Sequence, residues 1–317
     1  MNLGKILHCA HDGHILLLEK NNSQVRCSFC NTIYPRIDGI FIFYDENRST
    51  EVDKQQKIFF ESLHSGAEPQ PENYPKESHI NEIWAKLRDA YSNSQFDNKL
   101  SELFISQLEP MENARILEIG CGPGTPGTDY CLANKEKLSY YVGLDLSFNP
   151  LLKLQRKISQ AGAGNFYLLN MNIFDDYLFD QQFDLIFGRG IIHHLDDKKK
   201  TAERIFNLLK PGGKAVFLEP LNTNILIRLM RGLSRPFRSN LIWEHPFSQK
   251  DLELFTKPFD YNSLYYFDGL TMISLLFILN KRVFNLMHTL FYQADQSFFR
   301  NNILKSIFLR VIVVVRR

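Results

Sequence analysis

The sequence predicts an α/β protein built on a doubly wound, mostly parallel sheet. From residue 115 onward, short apolar runs alternate with helix-periodic segments, the pattern of strands joined by crossover helices. One of these runs, Ile116-Leu-Glu-Ile, leads directly into Gly120-Cys-Gly122-Pro-Gly124, a turn whose glycines allow left-handed backbone and close approach to a ligand. A parallel sheet binds ligands at the carboxyl ends of its strands, so this turn is where function is expected.

Composition agrees. Hydrophobic residues make up 44% and charged residues 23% of the 317-residue chain, ordinary values for a globular protein with a sizeable core. The expected strands are Arg115–Ile119, Tyr140–Asp145, Phe166–Asn170, Phe183–Gly188 and Lys214–Glu219, with helices between them that include Pro150–Gln160 and Lys198–Leu209. Tyr261–Phe267 and Phe308–Val315 can complete the sheet. Helix periodicity also runs through 79–108, with Ile83, Leu87, Ala90 and Tyr91, then Leu100, Leu103, Phe104 and Leu108. The chain therefore divides into a small unit at 1–45, a linker with N-terminal helices at 46–110 (polar and proline-bearing at Pro69, Pro71 and Pro75), and a main domain at 111–317. A helical insertion at about 268–307 carries the stripe Val283, Leu286, Met287, Leu290, Phe291, which must pack on something.

Glu118 precedes the glycine turn and Asp145 ends the next strand, in Tyr-Val-Gly-Leu-Asp-Leu-Ser. A carboxylate there can accept hydrogen bonds from both ribose hydroxyls. Further on come Phe183-Asp-Leu-Ile-Phe-Gly, His193-His194-Leu195 and Leu209-Lys-Pro-Gly-Gly213. Together these residues resemble motifs of class I S-adenosylmethionine-dependent methyltransferases, densely over about residues 80–220. The resemblance implies a seven-stranded Rossmann-like sheet and S-adenosylmethionine as cofactor. It implies that Glu118, Gly120, Cys121, Gly122 and Gly124 line the methionine end, that Asp145 with Leu146 holds the ribose, and that Arg189 lies by the methyl donor. Asn172 stands where the family usually has an acidic residue near adenine; its amide oxygen can still accept from the amino group, and Ile173 offers a backbone N–H. A nicotinamide enzyme is the competing reading, but it would more typically show G-x-G-x-x-G.

Cys9-Ala-His11-Asp12 and Cys27-Ser-Phe-Cys30, followed by Tyr34-Pro-Arg-Ile-Asp-Gly39-Ile, resemble the knuckles and tail of a zinc ribbon found in several bacterial methyltransferases. The resemblance implies one structural zinc on Cys9, Asp12, Cys27 and Cys30. Asp12 replaces a cysteine of that pattern, so His11 or His14 can serve instead, or the metal is lost; a closed site needs four ligands.

For the transfer step, His194 is the first candidate for a base or orienting group, then Glu219 and His245. Alternatively, His193-His194-Leu195 only packs against the cofactor, and Glu244-His245-Pro246 only shapes a turn. Glu219-Pro-Leu and Trp243-Glu-His-Pro resemble a bacterial small-molecule branch of the family. Arg228, Arg231, Arg235 and Arg238, beside Leu226, Leu229 and Leu233, fit either an anion-binding face or a solvated one. Residues 221–317 hold 13 Lys/Arg against 6 Asp/Glu, a basic excess that suits an anionic partner.

The leading expectation is a small, lipophilic or anionic methyl acceptor under the helical insertion. Ribosomal or transfer RNA is the second reading, and a non-catalytic binding subunit the third. Leu270–Leu279 is too short to span a bilayer, which needs about 20 apolar residues, although a peripheral membrane contact fits the insertion. With no secretory signal evident and five cysteines, an odd number, a reducing cytoplasm is expected.

Overall fold

The computed structural model describes residues 6–19, 23–65, 95–109, 112–224, 228, 245–277, 280–298 and 307–317. Most of the expected helix over 79–108, the prolines at 69, 71 and 75, Arg231, Arg235, Arg238, their neighbouring leucines, Trp243 and Glu244 lie outside these residues.

Four short strands open the chain: β1 (Leu16–Leu18), β2 (Gln24–Cys27), β3 (Ile33–Ile37) and β4 (Ile40–Ile42). Helices α1 (Glu51–Ser65) and α2 (Gln95–Ser106) follow. The alternating part then runs β5 (Ala114–Ile119), α3 (Pro126–Ala133), β6 (Leu138–Asp145), α4 (Phe148–Gln160), β7 (Phe166–Asn170), β8 (Phe183–Arg189), α5 (Lys198–Leu208) and β9 (Leu209–Pro220). The chain ends on α6 (Gln249–Thr256), β10 (Tyr261–Phe267), α7 (Lys281–Phe298) and β11 (Arg310–Arg316).

The eleven strands of the described residues join one sheet, ordered β1-β2-β3-β4-β7-β6-β5-β8-β9-β11-β10. Strands β7, β6, β5, β8 and β9 are parallel; β11 enters antiparallel to β9, and β10 antiparallel to β11. Both faces are covered. Leu100 and Phe104 of α2, Cys131 of α3 and Leu151, Leu154 and Ile158 of α4 pack on one. Ile205 and Leu208 of α5 and Leu252 and Phe255 of α6 pack on the other. That double burial is why the central strands read as nearly continuous apolar runs.

The N-terminal ribbon does not stand apart. Strand β4 pairs in parallel with β7, Ile40 opposite Leu168 and Ile42 opposite Asn170. Ile6, Leu16, Val25 and Tyr34 share a core with Tyr177 and Leu178.

Helix α7 differs from its expected orientation. Leu286 and Leu290 are 60% and 50% exposed, whereas Phe284, His288 and Asp295 are buried. The cause is polar. The Asp295 carboxylate accepts the backbone N–H groups of Gly269, Leu270 and Thr271 and the Thr271 hydroxyl, at 2.7–3.2 Å. This buried carboxylate ties the helix to the Gly269–Thr271 backbone in the observed rotation, with Phe284 and His288 on the same buried face. Among the described residues no helix is long and apolar enough to cross a membrane.

Candidate functional site

At the end of β5 the chain must reverse over the sheet to begin α3. Gly120, with φ of +64°, sits where a Cβ would come 2.7 Å from Ile191 Cδ1, so no other residue fits there. Gly122 follows at φ of +49°, and its N–H donates to Asp145 Oδ2 at 2.9 Å. Thr125 then caps α3, accepting from the N–H groups of Gly127 and Thr128. Behind the turn, Glu118 is fully buried. Its carboxylate accepts hydroxyl protons from Thr125 at 2.6 Å, from Thr128 at 2.7 Å and from Tyr141. Burial pushes the Glu118 carboxyl up to about 7, against the pull of those three hydroxyls. Glu118 thus braces the turn from the inside and does not reach the cleft in front of it.

The cleft encloses about 1030 Å³, including space open to solvent, between the carboxyl ends of β5, β6, β7 and β8. Gly120, Cys121, Gly122, Gly124, Asp145, Leu146, Asn172, Ile173, Arg189 and His194, all anticipated from sequence, line it together. Asp145 is half-buried. Each of its carboxylate oxygens takes one backbone N–H, from Gly122 and from Ser147 at 2.8 Å, which leaves lone pairs for two adjacent ligand hydroxyls. Burial raises this carboxyl to about 6, although both N–H groups favour its charge.

Three anticipated residues are placed elsewhere. Glu118 lies behind the turn. Glu219 is 1% exposed; it accepts the N–H groups of Ile191 at 3.0 Å and Ile192 at 2.8 Å and faces Nδ1 of His193 at 2.8 Å. Its charge is spent holding the 3-10 turn Ile192–His194 that presents His194 to the cleft. His245 stands outside the lining, half-exposed, with Nε2 3.7 Å from Asp196 and its N–H donated to the His193 carbonyl at 2.9 Å. His194 packs edge-on to Phe60, ring centroids 5.8 Å apart.

Phe60 belongs to α1, which the sequence presents as polar linker and the structure places over the cleft. Asp53, Gln56, Phe60 and His64 line it. Three polar ties hold the helix down. Asn172 Nδ2 donates to Asp53 Oδ1 at 3.0 Å, and Gln56 Nε2 donates to the His194 carbonyl at 3.0 Å. The Glu61 carboxylate takes the first N–H groups of α4, from Phe148 and Asn149, where a helix favours negative charge. The one sequence trace of α1 is the capping pair Thr50 and Asp53, whose side chains and backbone N–H groups bond reciprocally. The described residues of 268–307, expected to wall this cleft, contribute none of its lining. On the far side, Arg189 Nη1 donates to Ser101 Oγ of α2 at 3.3 Å.

A second constellation lies in the ribbon. Ligand atoms of Cys9, Asp12, Cys27 and Cys30 all fall within 4.8 Å of one another. The Cys9 and Cys30 sulfurs are 3.7 Å apart, and Cys27 Sγ is 3.3 Å from Asp12 Oδ2. Zinc bonds of about 2.3 Å to sulfur and 2.0 Å to oxygen in a tetrahedron require spacings of this size. Burial pushes the Cys27 thiol up to about 11, against the pull of the Phe29 N–H, which donates to its Sγ at 3.4 Å. Of the candidates for the fourth ligand, Asp12 is in the cluster, while the His14 ring stacks on Phe29 with centroids 4.5 Å apart.

Comparison with known proteins agrees with this geometry. Residues 117–215 match the family described as Methyltransferase domain. Phosphoethanolamine N-methyltransferase 1 of Arabidopsis thaliana is 32% identical over 114 residues, covering 36% of this chain and 22% of that protein. The mitochondrial ubiquinone biosynthesis O-methyltransferase of Dictyostelium discoideum is 28% identical over 172 residues, half of each chain. The chain thus spans half or less of the length of these relatives. Among solved structures, geranyl diphosphate C-methyltransferase from Streptomyces coelicolor A3(2) superposes with a TM-score of 0.55 at 12% identity, covering 85% of this chain and 98% of that one, a likeness of fold. The segment that carries the glycine turn, Asp145 and the 3-10 turn is therefore a methyltransferase domain on a Rossmann-like sheet.

Proposed function

We propose that this protein transfers a methyl group from S-adenosylmethionine to a small-molecule acceptor. The observation that carries the reading is the Gly122–Asp145 pair. A glycine turn brings its backbone to the ligand while the strand-end carboxylate, held by that same backbone, keeps acceptors turned to the cleft. In this reading Asp145 holds the ribose hydroxyls and Gly120–Gly124 the methionine portion. The bound cofactor supplies an electrophilic methyl group. The protein aligns the acceptor and excludes water, and α1 supplies the cover: Phe60 and His64 roof the cleft and His194 borders it. His194 is the cleft-facing candidate to orient the acceptor or take its proton. Arg189, whose guanidinium is a planar fork of donors, suits an anionic group on the acceptor or the cofactor carboxylate. The phosphoethanolamine, ubiquinone-pathway and geranyl diphosphate enzymes among the similar proteins act on small molecules, which supports the acceptor class.

Cys9, Asp12, Cys27 and Cys30 are proposed to hold one structural zinc, which would tie β1 and β2 to the chain ends around them.

Calorimetry with S-adenosylhomocysteine tests the cofactor. Binding is expected, and Asp145→Ala should weaken it by about 1.5–3 kcal/mol, the worth of hydrogen bonds to a charged group. Absence of binding, or an unchanged affinity in Asp145→Ala, overturns the reading.

A further inference from the structure

We infer that Asp53, carried on α1, is the residue that reads the amino group of the adenine ring. The inference rests on the cofactor reading above, and the order of the strands gives its starting point. If Asp145 at the end of β6 holds the ribose, the base must lie over the end of the neighbouring strand, β7, where Asn172 and Ile173 line the cleft. The Asn172 amide is fixed there. Its Oδ1 accepts the Phe174 N–H at 3.1 Å, and its Nδ2 donates to Asp53 Oδ1 at 3.0 Å. Asn172 therefore turns its donor face toward α1, and the carboxylate at this end of the cleft comes from Asp53.

Asp53 is positioned for that task by its own helix start. Its Oδ2 accepts the Thr50 N–H at 3.0 Å and the Thr50 hydroxyl at 2.7 Å, so Oδ1, which takes the Asn172 amide, is the oxygen the helix cap leaves for a ligand. A carboxylate oxygen that accepts one amide hydrogen has capacity for a second. Asn172 is itself held in place from behind. Asp175 Oδ2 accepts the Asn172 N–H at 3.0 Å. Burial chiefly raises the Asp175 carboxyl, against the pull of the Asn172 N–H and of Arg48. A carboxylate lining this end of the cleft favours a purine edge that offers N–H and disfavours one that offers a carbonyl oxygen. Asp53 would thus be both a latch for α1 and a specificity determinant, and adenine binding would tighten the helix that covers the cleft.

The test compares binding of S-adenosylhomocysteine with that of S-inosylhomocysteine, in which a carbonyl replaces the amino group, by calorimetry on the full chain. The wild type should prefer the adenosyl ligand by about tenfold or more, because a site built to accept a hydrogen bond rejects the analogue lacking it. Asp53→Asn should lose most of that preference. Thr50→Ala, which weakens the same helix cap and leaves the Asp53 carboxylate in place, should keep it. The exchange Asp53→Asn with Asn172→Asp, which moves the carboxylate across the hydrogen bond, should restore it. Undiminished preference in Asp53→Asn, or equal loss in Thr50→Ala, overturns the inference while leaving the cofactor reading intact. If the wild type binds neither ligand, the cofactor reading itself fails and this inference with it.

Discussion

The Glu219 carboxylate and Nδ1 of His193 lie 2.8 Å apart in the protein interior, and the same carboxylate holds the backbone of Ile191 and Ile192. Glu219→Ala would leave these donors without an acceptor in a site that water does not reach. The expected loss is about 3–4 kcal/mol in chemical denaturation, since each orphaned buried donor costs roughly 1–3 kcal/mol. Glu219→Gln keeps one acceptor oxygen and should lose less. A stable, cooperative Glu219→Ala protein would show that the turn is held by other contacts.

Binding at Asp145 should depend on pH. Its carboxyl is raised from an ordinary value of 3.8 to about 6, and only the ionised form accepts from both ribose hydroxyls. Affinity for S-adenosylhomocysteine should be level above pH 6 and fall below it by up to about tenfold per pH unit. The sign for stability is opposite. Because the folded state holds this proton more tightly than the unfolded one, Asp145 lowers stability as pH rises from about 4 to 6. Asp145→Asn should flatten both dependences in parallel titrations.

Gly120 and Gly122 both have left-handed backbone, but only at Gly120 would a Cβ press closer than ordinary contact. Gly122→Ala costs chiefly the backbone strain, about 1–2 kcal/mol. At Gly120 the added methyl would also press on Ile191, 2.7 Å away, and displace the turn that lines the cleft. Gly120→Ala should therefore lower Tm more than Gly122→Ala and weaken ligand binding at least about tenfold. Equal Tm values would contradict the close packing against Ile191.

Elemental analysis should find about one zinc per chain, reduced by Cys27→Ser or Cys30→Ser. If the metal contributes about 2–3 kcal/mol, chelation should lower Tm by roughly 4–10 °C. A metal-free protein with the full Tm would leave the ribbon held by Leu16, Val25 and Tyr34 alone.

Where a side chain's environment is set by its neighbours in the chain, the sequence disclosed it. The run Ile116–Ile119, the glycines after it and Asp145 announce strand, turn and strand end because their chemistry is local. Tyr261–Phe267 matches β10 residue for residue. What depends on distant partners stayed hidden. Helix α1 reads as linker because polar groups hold it: Gln56 is buried through its bond to the His194 carbonyl, 138 residues away. Glu219 ends a strand like a candidate base, and only the fold shows three backbone N–H groups converging on it. The stripe on α7 misled because the helix buries Phe284, His288 and Asp295, and Asp295 bonds to Gly269–Thr271, a distant partner that periodicity cannot reveal.

The parallel pairing of β4 with β7 gives the ribbon a protective role. Strand β7, Phe-Tyr-Leu-Leu-Asn, would otherwise end the parallel sheet with an apolar strand whose outer N–H and C=O groups invite a second chain. Strands β4 to β1 carry the boundary outward to a three-residue strand, Leu16–Leu18, which offers a newcomer little to grip. A protein lacking residues 6–42 should consequently aggregate in light-scattering measurements, at temperatures where the full chain stays dispersed, because the exposed edge would be a template for intermolecular β-pairing.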